Sequence, residues 1–188
     1  RAAHGPQARA AATGGPGAEG AGGAGTGTTC YGWKGGIGTA SRQLPAEAGG
    51  FRLGALVQSN FGRPQDLTIC GVPVGRSLRP LGRARTPVER GSVMVVLAAD
   101  APLDARQLGR LAGRAGAGLV RTGAHPGQAS GDFVVAFSTA YTVPHAPESI
   151  VRSGAILVDE GRAMAHLFPA VAECVEEAVV NSLCRAAT

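Results

Sequence analysis

Lysine is almost absent from this chain: Lys34 stands alone, and arginine supplies the rest of the positive charge behind a net +5. Aromatic residues are scarce at 4%, with one tryptophan. Nucleic-acid binding calls for a basic stripe interleaved with rings on which bases stack. The densest basic cluster, Arg76, Arg79, Arg83, Arg85 and Arg90, lies in a Pro/Gly-rich stretch without an aromatic residue. It reads as a solvated loop, and no nucleic-acid partner is expected. Long hydrophobic runs are lacking as well. The longest, Val93 to Ala99, falls far short of the ~20 residues that cross a bilayer, and no secretory leader is visible. No membrane partner is expected.

Cys30, Cys70, Cys174 and Cys184 form no CxxC pair and have no histidine at ligand spacing, so neither a metal nor a cofactor is expected. Cys174 and Cys184 fall on one apparent helix about 15 Å apart, too far to bridge. Reduced thiols are therefore the expectation, which fits a cytoplasmic location. Phosphate-binding signatures are missing: no GxxxxGK[ST] occurs, and the formal GxGxxG of Gly20 to Gly25 has neither a strand before it nor an amphipathic helix after it. Gly127 to Gly131 reads G-x-x-S-G, not the G-x-S-x-G of a nucleophile elbow. His4, His125, His145 and His166 are scattered, and no histidine triad is indicated.

What the chain does contain is enough apolar material for one domain with a core, 44% of 188 residues. Its 30 glycines and 12 prolines exceed what such a domain needs. Much of that excess lies in residues 1–50, which taken alone read as disordered or loop. Apolar runs bounded by Gly, Pro or Asn predict strands over Phe51 to Ser59, Val93 to Ala99, Phe133 to Thr139 and Ala155 to Val158. After Pro102, Leu103, Leu108, Leu111, Ala112 and Ala115 suit one helical face out to Gly116. Leu167, Val171, Cys174, Val175, Ala178, Val179 and Leu183 repeat at three- and four-residue spacing opposite Glu173, Glu176 and Glu177, predicting an amphipathic helix over 166–186. Strands alternating with helices make the fold α/β.

One junction carries chemistry. Glu89-Arg90-Gly91-Ser92 runs from the Arg-rich loop into the apolar stretch that starts at Val93. A hydroxyl just after a glycine can attack the preceding carbonyl, because no Cβ blocks the distorted conformation the attack requires. Cleavage between Gly91 and Ser92 leaves Ser92 as a new N-terminus. Its α-amine, with a reference pKa of about 7.7–8.0, then serves as base for its own hydroxyl. Gly-Ser before a strand is also an ordinary turn.

Three further blocks decide how that junction is read. They are Ala18-Glu19-Gly20 with Gly23 to Tyr31 and Lys34 to Arg42; Ala55 to Gly62 with Gly91-Ser92 through Leu103; and Ser130-Gly131-Asp132-Phe133 with Ala136 to Ala140. In this order they resemble the self-processing L-aminopeptidase/D-amino-acid esterases and β-peptidyl aminopeptidases, relatives in fold of the ornithine acetyltransferases. The tail Val171 to Ala186 fits the same pattern. The resemblance implies layered sheets flanked by helices, and a single aminopeptidase domain over 1–188 that splits into an upstream piece 1–91 and a downstream piece 92–188. It implies Ser92 as nucleophile, Ser130 and Asp132 as the hydroxyl and acid that support its amine, and Asn60 as an oxyanion donor. On an extended chain Ser130 and Asp132 point to one face, so both are expected to reach the Ser92 amine together. The substrates implied are small peptides, amino-acid amides or esters, and processed copies are expected to form a homo-oligomer. Because the chain begins at Arg1 and the family has a segment upstream of the block near Glu19, a truncated copy is also expected. Two alternatives stay open: an acetyl-transferring relative, although those use threonine where this chain has Ser92, and an inactive fragment.

Overall fold

A computed structural model describes residues 4–15, 17–78, 91–125, 127 and 131–187. The elements in chain order are α1 (His4–Ala10), β1 (Thr29–Cys30), β2 (Trp33–Lys34), β3 (Ile37–Gln43), β4 (Arg52–Asn60), β5 (Ser92–Ala99), α2 (Ala105–Ala112), α3 (Ala115–Arg121), β6 (Gly131–Ser138) and α4 (Glu160–Cys184). β1 and β2 form a small ribbon, and the other strands form one sheet in the order β3-β4-β5-β6. The first three are antiparallel, while β5 and β6 run parallel. A parallel pair needs a long crossover, and α2 and α3 supply it. The result is an α/β fold, a mixed sheet flanked by helices.

Period two along the strands decides what is buried. Leu53, Ala55, Val57 and Ser59 of β4 and Val93, Val95, Leu97 and Ala99 of β5 all face inward. They share one core with α4, which packs on β3 and β4 and whose Leu167, Val171, Cys174, Val175, Ala178 and Val179 are fully buried at helical spacing. α4 lies close enough to β3 that a Cβ on Gly38 would come 1.8 Å from the Ala178 carbonyl oxygen. α3 packs on the other flank of α4, where a Cβ on Gly118 would meet the Ala172 carbonyl oxygen at 2.5 Å. The expected single helix after Pro102 is thus two helices. Asp104 caps the first, accepting from the Gln107 N–H while the Gln107 side chain accepts from the Asp104 N–H. The second starts at Ala115 and brings Leu119 into the core.

Three expectations are corrected. Ala155 to Val158 pairs with no strand among the described residues; the Leu157 N–H donates to the Pro102 carbonyl and Val158 is 84% exposed. β3 was not predicted, because its place rests on pairing with β4 and on the missing side chain of Gly38, and apolar alternation plays little part. The glycine-rich segment from 17 to 50 holds β1, β2 and β3, and the loops between them are ordered by backbone contact. Gly20 and Ile37 exchange both backbone hydrogen bonds, and a Cβ on Gly36 would sit 2.0 Å from the Gly20 carbonyl oxygen. The Glu19 carboxylate accepts from the Thr39 N–H and hydroxyl at 2.6 and 2.7 Å.

Candidate active site

The head of β5 lies between the end of β4 and the start of β6, so the register brings three chain segments to one point. Ser92 pairs with Asn60 on one side and with Gly131 on the other. The Ser92 hydroxyl is exposed, and its Oγ stands 3.5 Å from the Gly131 N–H, at the outer limit of a hydrogen bond. Gly91 packs onto the turn after β4: a Cβ there would lie 2.5 Å from the Asn60 carbonyl oxygen and 2.8 Å from the Phe61 Cα. Only glycine fits. The residue before the serine is therefore glycine for a steric reason, and it is held against the strand that bears Asn60.

Asn60 is oriented from outside its own strand. Its Oδ1 accepts from the Thr29 N–H at 3.1 Å. A backbone N–H only donates, so the amide presents its oxygen to Thr29 and keeps Nδ2 as a donor. β1 in turn is pinned to the end of β4. The Tyr31 N–H donates to the Phe61 carbonyl at 2.7 Å, the Tyr31 ring meets Phe61 edge-on at 5.3 Å, and its hydroxyl lies 2.7 Å from Thr122 Oγ1. Burial raises the Tyr31 phenol well above its usual range and pushes the Cys30 thiol up to about 12. Both are neutral props. With a depressed pKa excluded, Cys30 has no nucleophile's character.

The structure brings Gly91, Ser92 and Asn60 together. Ser130 lies outside the described residues. Asp132 pairs with Val93, one position beyond Ser92. In a sheet, side-by-side residues share a face, so Asp132 shares the face of Val93 while Ser92 points to the other. Reading faces by i, i+2 spacing alone left the register parity undetermined. Thr29 and the Gly131 N–H were not predicted as parts of the site. Thr29 acts through its backbone, for which side-chain identity gives no signal. Among the described residues no three His, Cys, Asp or Glu side chains gather as a metal would require.

This arrangement can support attack by the Ser92 hydroxyl on a carbonyl flanked by hydrogen-bond donors. Known proteins place it. The profile described as Peptidase family S58 matches residues 1–188. The chain belongs to peptidase family S58. It is 40% identical to the β-peptidyl aminopeptidase BapA of Sphingosinicella xenopeptidilytica over 184 residues, covering 92% of this chain and 45% of that protein. A β-aminopeptidase from Burkholderia sp. superposes with a TM-score of 0.84 at 43% identity, over 98% of this chain and 52% of the other. The L-aminopeptidase D-Ala-esterase/amidase of Ochrobactrum anthropi, described as a serine aminopeptidase with a variant of the Ntn hydrolase fold, gives 0.81 at 44% identity, over 93% and 47%. The chain thus spans about half the length of the S58 relatives it matches.

Proposed function

We propose that this chain carries the nucleophile of an N-terminal-serine aminopeptidase, which cuts itself between Gly91 and Ser92 and then releases N-terminal residues from small peptides, amides or esters. The observation that carries the reading is the junction itself. A glycine that cannot bear a Cβ is pressed against the strand of a pre-oriented Asn60, with a free hydroxyl next in line.

In the first step Ser92 Oγ bonds to the Gly91 carbonyl carbon and the bond to the Ser92 nitrogen breaks, an N-to-O shift that leaves an ester and a free amine. Water then hydrolyses the ester, giving the Gly91 carboxylate and restoring the hydroxyl. In turnover the freed amine takes the hydroxyl proton as Oγ attacks the substrate carbonyl and passes it to the leaving amine; water then hydrolyses the acyl-enzyme ester on Ser92, releasing the residue as its acid and restoring the hydroxyl. The Asn60 amide, and with it the Gly131 N–H beside Ser92 Oγ, are assigned as donors to the developing oxyanion. The new amine belongs to the backbone and lies between the two faces of β5. That placement supports a role for the Asp132 carboxylate beside the amine, with Ser130 completing the set. Pieces 1–91 and 92–188 remain together through the β4–β5 ladder. Free cysteines at all four positions suit the cytoplasm. Apolar side chains left exposed on the sheet favour association of processed copies into a homo-oligomer.

Denaturing mass spectrometry of the purified protein tests the reading. It should show a break after Gly91 and a downstream piece that begins at Ser92, whereas Ser92→Ala should stay one chain and hydrolyse no amino-acid p-nitroanilide. An intact wild-type chain that hydrolyses aminoacyl amides at an enzymatic rate overturns the mechanism, since an unprocessed Ser92 has no amine to act as base.

A further inference from the structure

Behind Asn60 the structure holds a buried polar cluster that the mechanism above does not use. Ser59 and Ser182 are both fully buried, and their hydroxyl oxygens lie 2.8 Å apart although 123 residues separate them. The Gly36 N–H donates to Ser59 Oγ at 3.2 Å, and the Ser182 hydroxyl donates to the Val179 carbonyl at 2.7 Å. Each hydroxyl has one proton to give. Ser59 Oγ also lies 3.2 Å from the Gly36 carbonyl; with Ser182 donating to Val179 and the shorter 2.8 Å contact taking the Ser59 proton, a chain of bonds runs from the loop before β3, through the end of β4, into the last turns of α4. The Cys30 backbone and Ser59 Oγ close on one point of the chain, since a Cβ on Gly35 would lie 3.0 Å from each, and the Cys30 side chain is fully buried. A buried polar network with every member satisfied rigidifies its surroundings, and one with a member missing does not.

Its placement gives that rigidity a use. Ser59 directly precedes Asn60, and Cys30 directly follows Thr29. The close packing of Cys30 and Ser59 about Gly35 and the surface bond from the Thr29 N–H to Asn60 Oδ1 are thus two rungs of one junction between β1 and β4. Shifting the inner rung moves the outer one.

We propose that Ser59, Ser182 and Cys30 are positioning residues that set the direction of the Asn60 amide, with the C-terminal turns of α4 as their support. This rests on the reading of Asn60 as an oxyanion donor, and the test separates the two. Self-cleavage rate, and kcat and KM on an amino-acid p-nitroanilide, are measured for wild type, Ser182→Ala, Asn60→Ala and the double variant. Asn60→Ala should slow both reactions about 10²- to 10³-fold. Ser182→Ala should cost about 10- to 100-fold in kcat with KM little changed, and nothing further once Asn60 is already alanine. Ser182→Thr, which restores the hydroxyl, should recover most of the rate. Should Ser182→Ala fail to fold, Ser59→Ala removes the middle of the chain of bonds and leaves the α4 back-bond intact, and the same expectations apply to it. Equal losses from the alanine change in both backgrounds, or a kcat within about twofold of wild type, overturn the proposal while Asn60 keeps its role. If Asn60→Ala itself leaves both rates unchanged, the oxyanion reading fails and the proposal fails with it.

Discussion

The two faces of the central sheet carry nearly the same chemistry and meet opposite fates. On the helix side Leu53, Val57, Val93, Val95 and Leu97 are no more than 1% exposed in the core they share with α4. On the other side Leu56, Met94, Phe133, Val135 and Phe137 are between 38% and 58% exposed. A strand that meets water on one face alternates apolar with polar, whereas Val93 to Ala99 is apolar without interruption. Such a strand is built for burial on both sides, and the described residues cover one. The S58 relatives run to about twice the length of this chain. The covered face is where stability resides. The head of β5, where both faces end, is where we propose that chemistry resides.

The sharpest way to break that comparison is to empty the covered face. Leu97→Ala should cost about 2–5 kcal/mol of unfolding free energy in a urea titration, since Leu97 is 1% exposed in the core it shares with the buried residues of α4 and its removal leaves a cavity. Thiol labelling gives an independent reading. In the folded protein Cys70 and Cys184 should react and Cys30 and Cys174 should not, the last two being buried with their thiols pushed up to about 12 and about 11. In Leu97→Ala, Cys174 on α4 should become reactive at lower urea than in wild type. An unchanged midpoint would mean that α4 is not what holds the sheet.

How much of this was legible in the sequence depended on whether side chains or backbone carried the signal. β4, β5, β6 and the core of α4 announced themselves through apolar runs and helical spacing. β3 did not, because its packing against α4 depends on Gly38 having no side chain. The β1–β2 ribbon escaped notice for a related reason, being two residues long on each side. Within the proposed site, Gly91-Ser92 was legible as a loop-to-strand junction and Asn60 as a strand-end residue. That Asn60 and Ser92 sit side by side is a fact of register. The face of Asp132 turned on the same register, and spacing by two leaves it open. Thr29 reaches Asn60 across 31 residues through a backbone N–H, and Ser59 reaches Ser182 across 123. No local pattern encodes such pairs.

A middle-sized effect comes from the bare face. The double change Phe133→Ser and Phe137→Ser removes two exposed rings from β6. It should abolish most of the binding of a hydrophobic dye to the folded protein and reduce self-association in light scattering. The urea midpoint should move by less than about 1 kcal/mol equivalent, because neither ring contributes to the core and strand propensity spans only that range. A loss of stability as large as that of Leu97→Ala would show that this face is already covered in solution, and the contrast between the two faces would dissolve.

The smallest expected effect lies at the rim of the covered face, where α2 meets the first turn of α4. Glu160 pairs with Arg106 and Arg110 and accepts from Gln107 Nε2 at 3.2 Å. The Arg106 guanidinium foremost, then the Gln107 bond, hold the carboxyl down to about 2 from its ordinary 4.5. A depressed folded-state pKa contributes stability that is present above the unfolded value and lost as pH falls through the folded one. Wild type should therefore melt slightly above Glu160→Gln at neutral pH. The gap should narrow below about pH 4.5 and close near pH 2, and 1 M salt should shrink it at every pH, because both guanidinium partners are solvent-exposed. A gap that persists at pH 2 would mean that Glu160 acts through packing or its bond with Gln107, and that charge contributes nothing to joining α2 to α4.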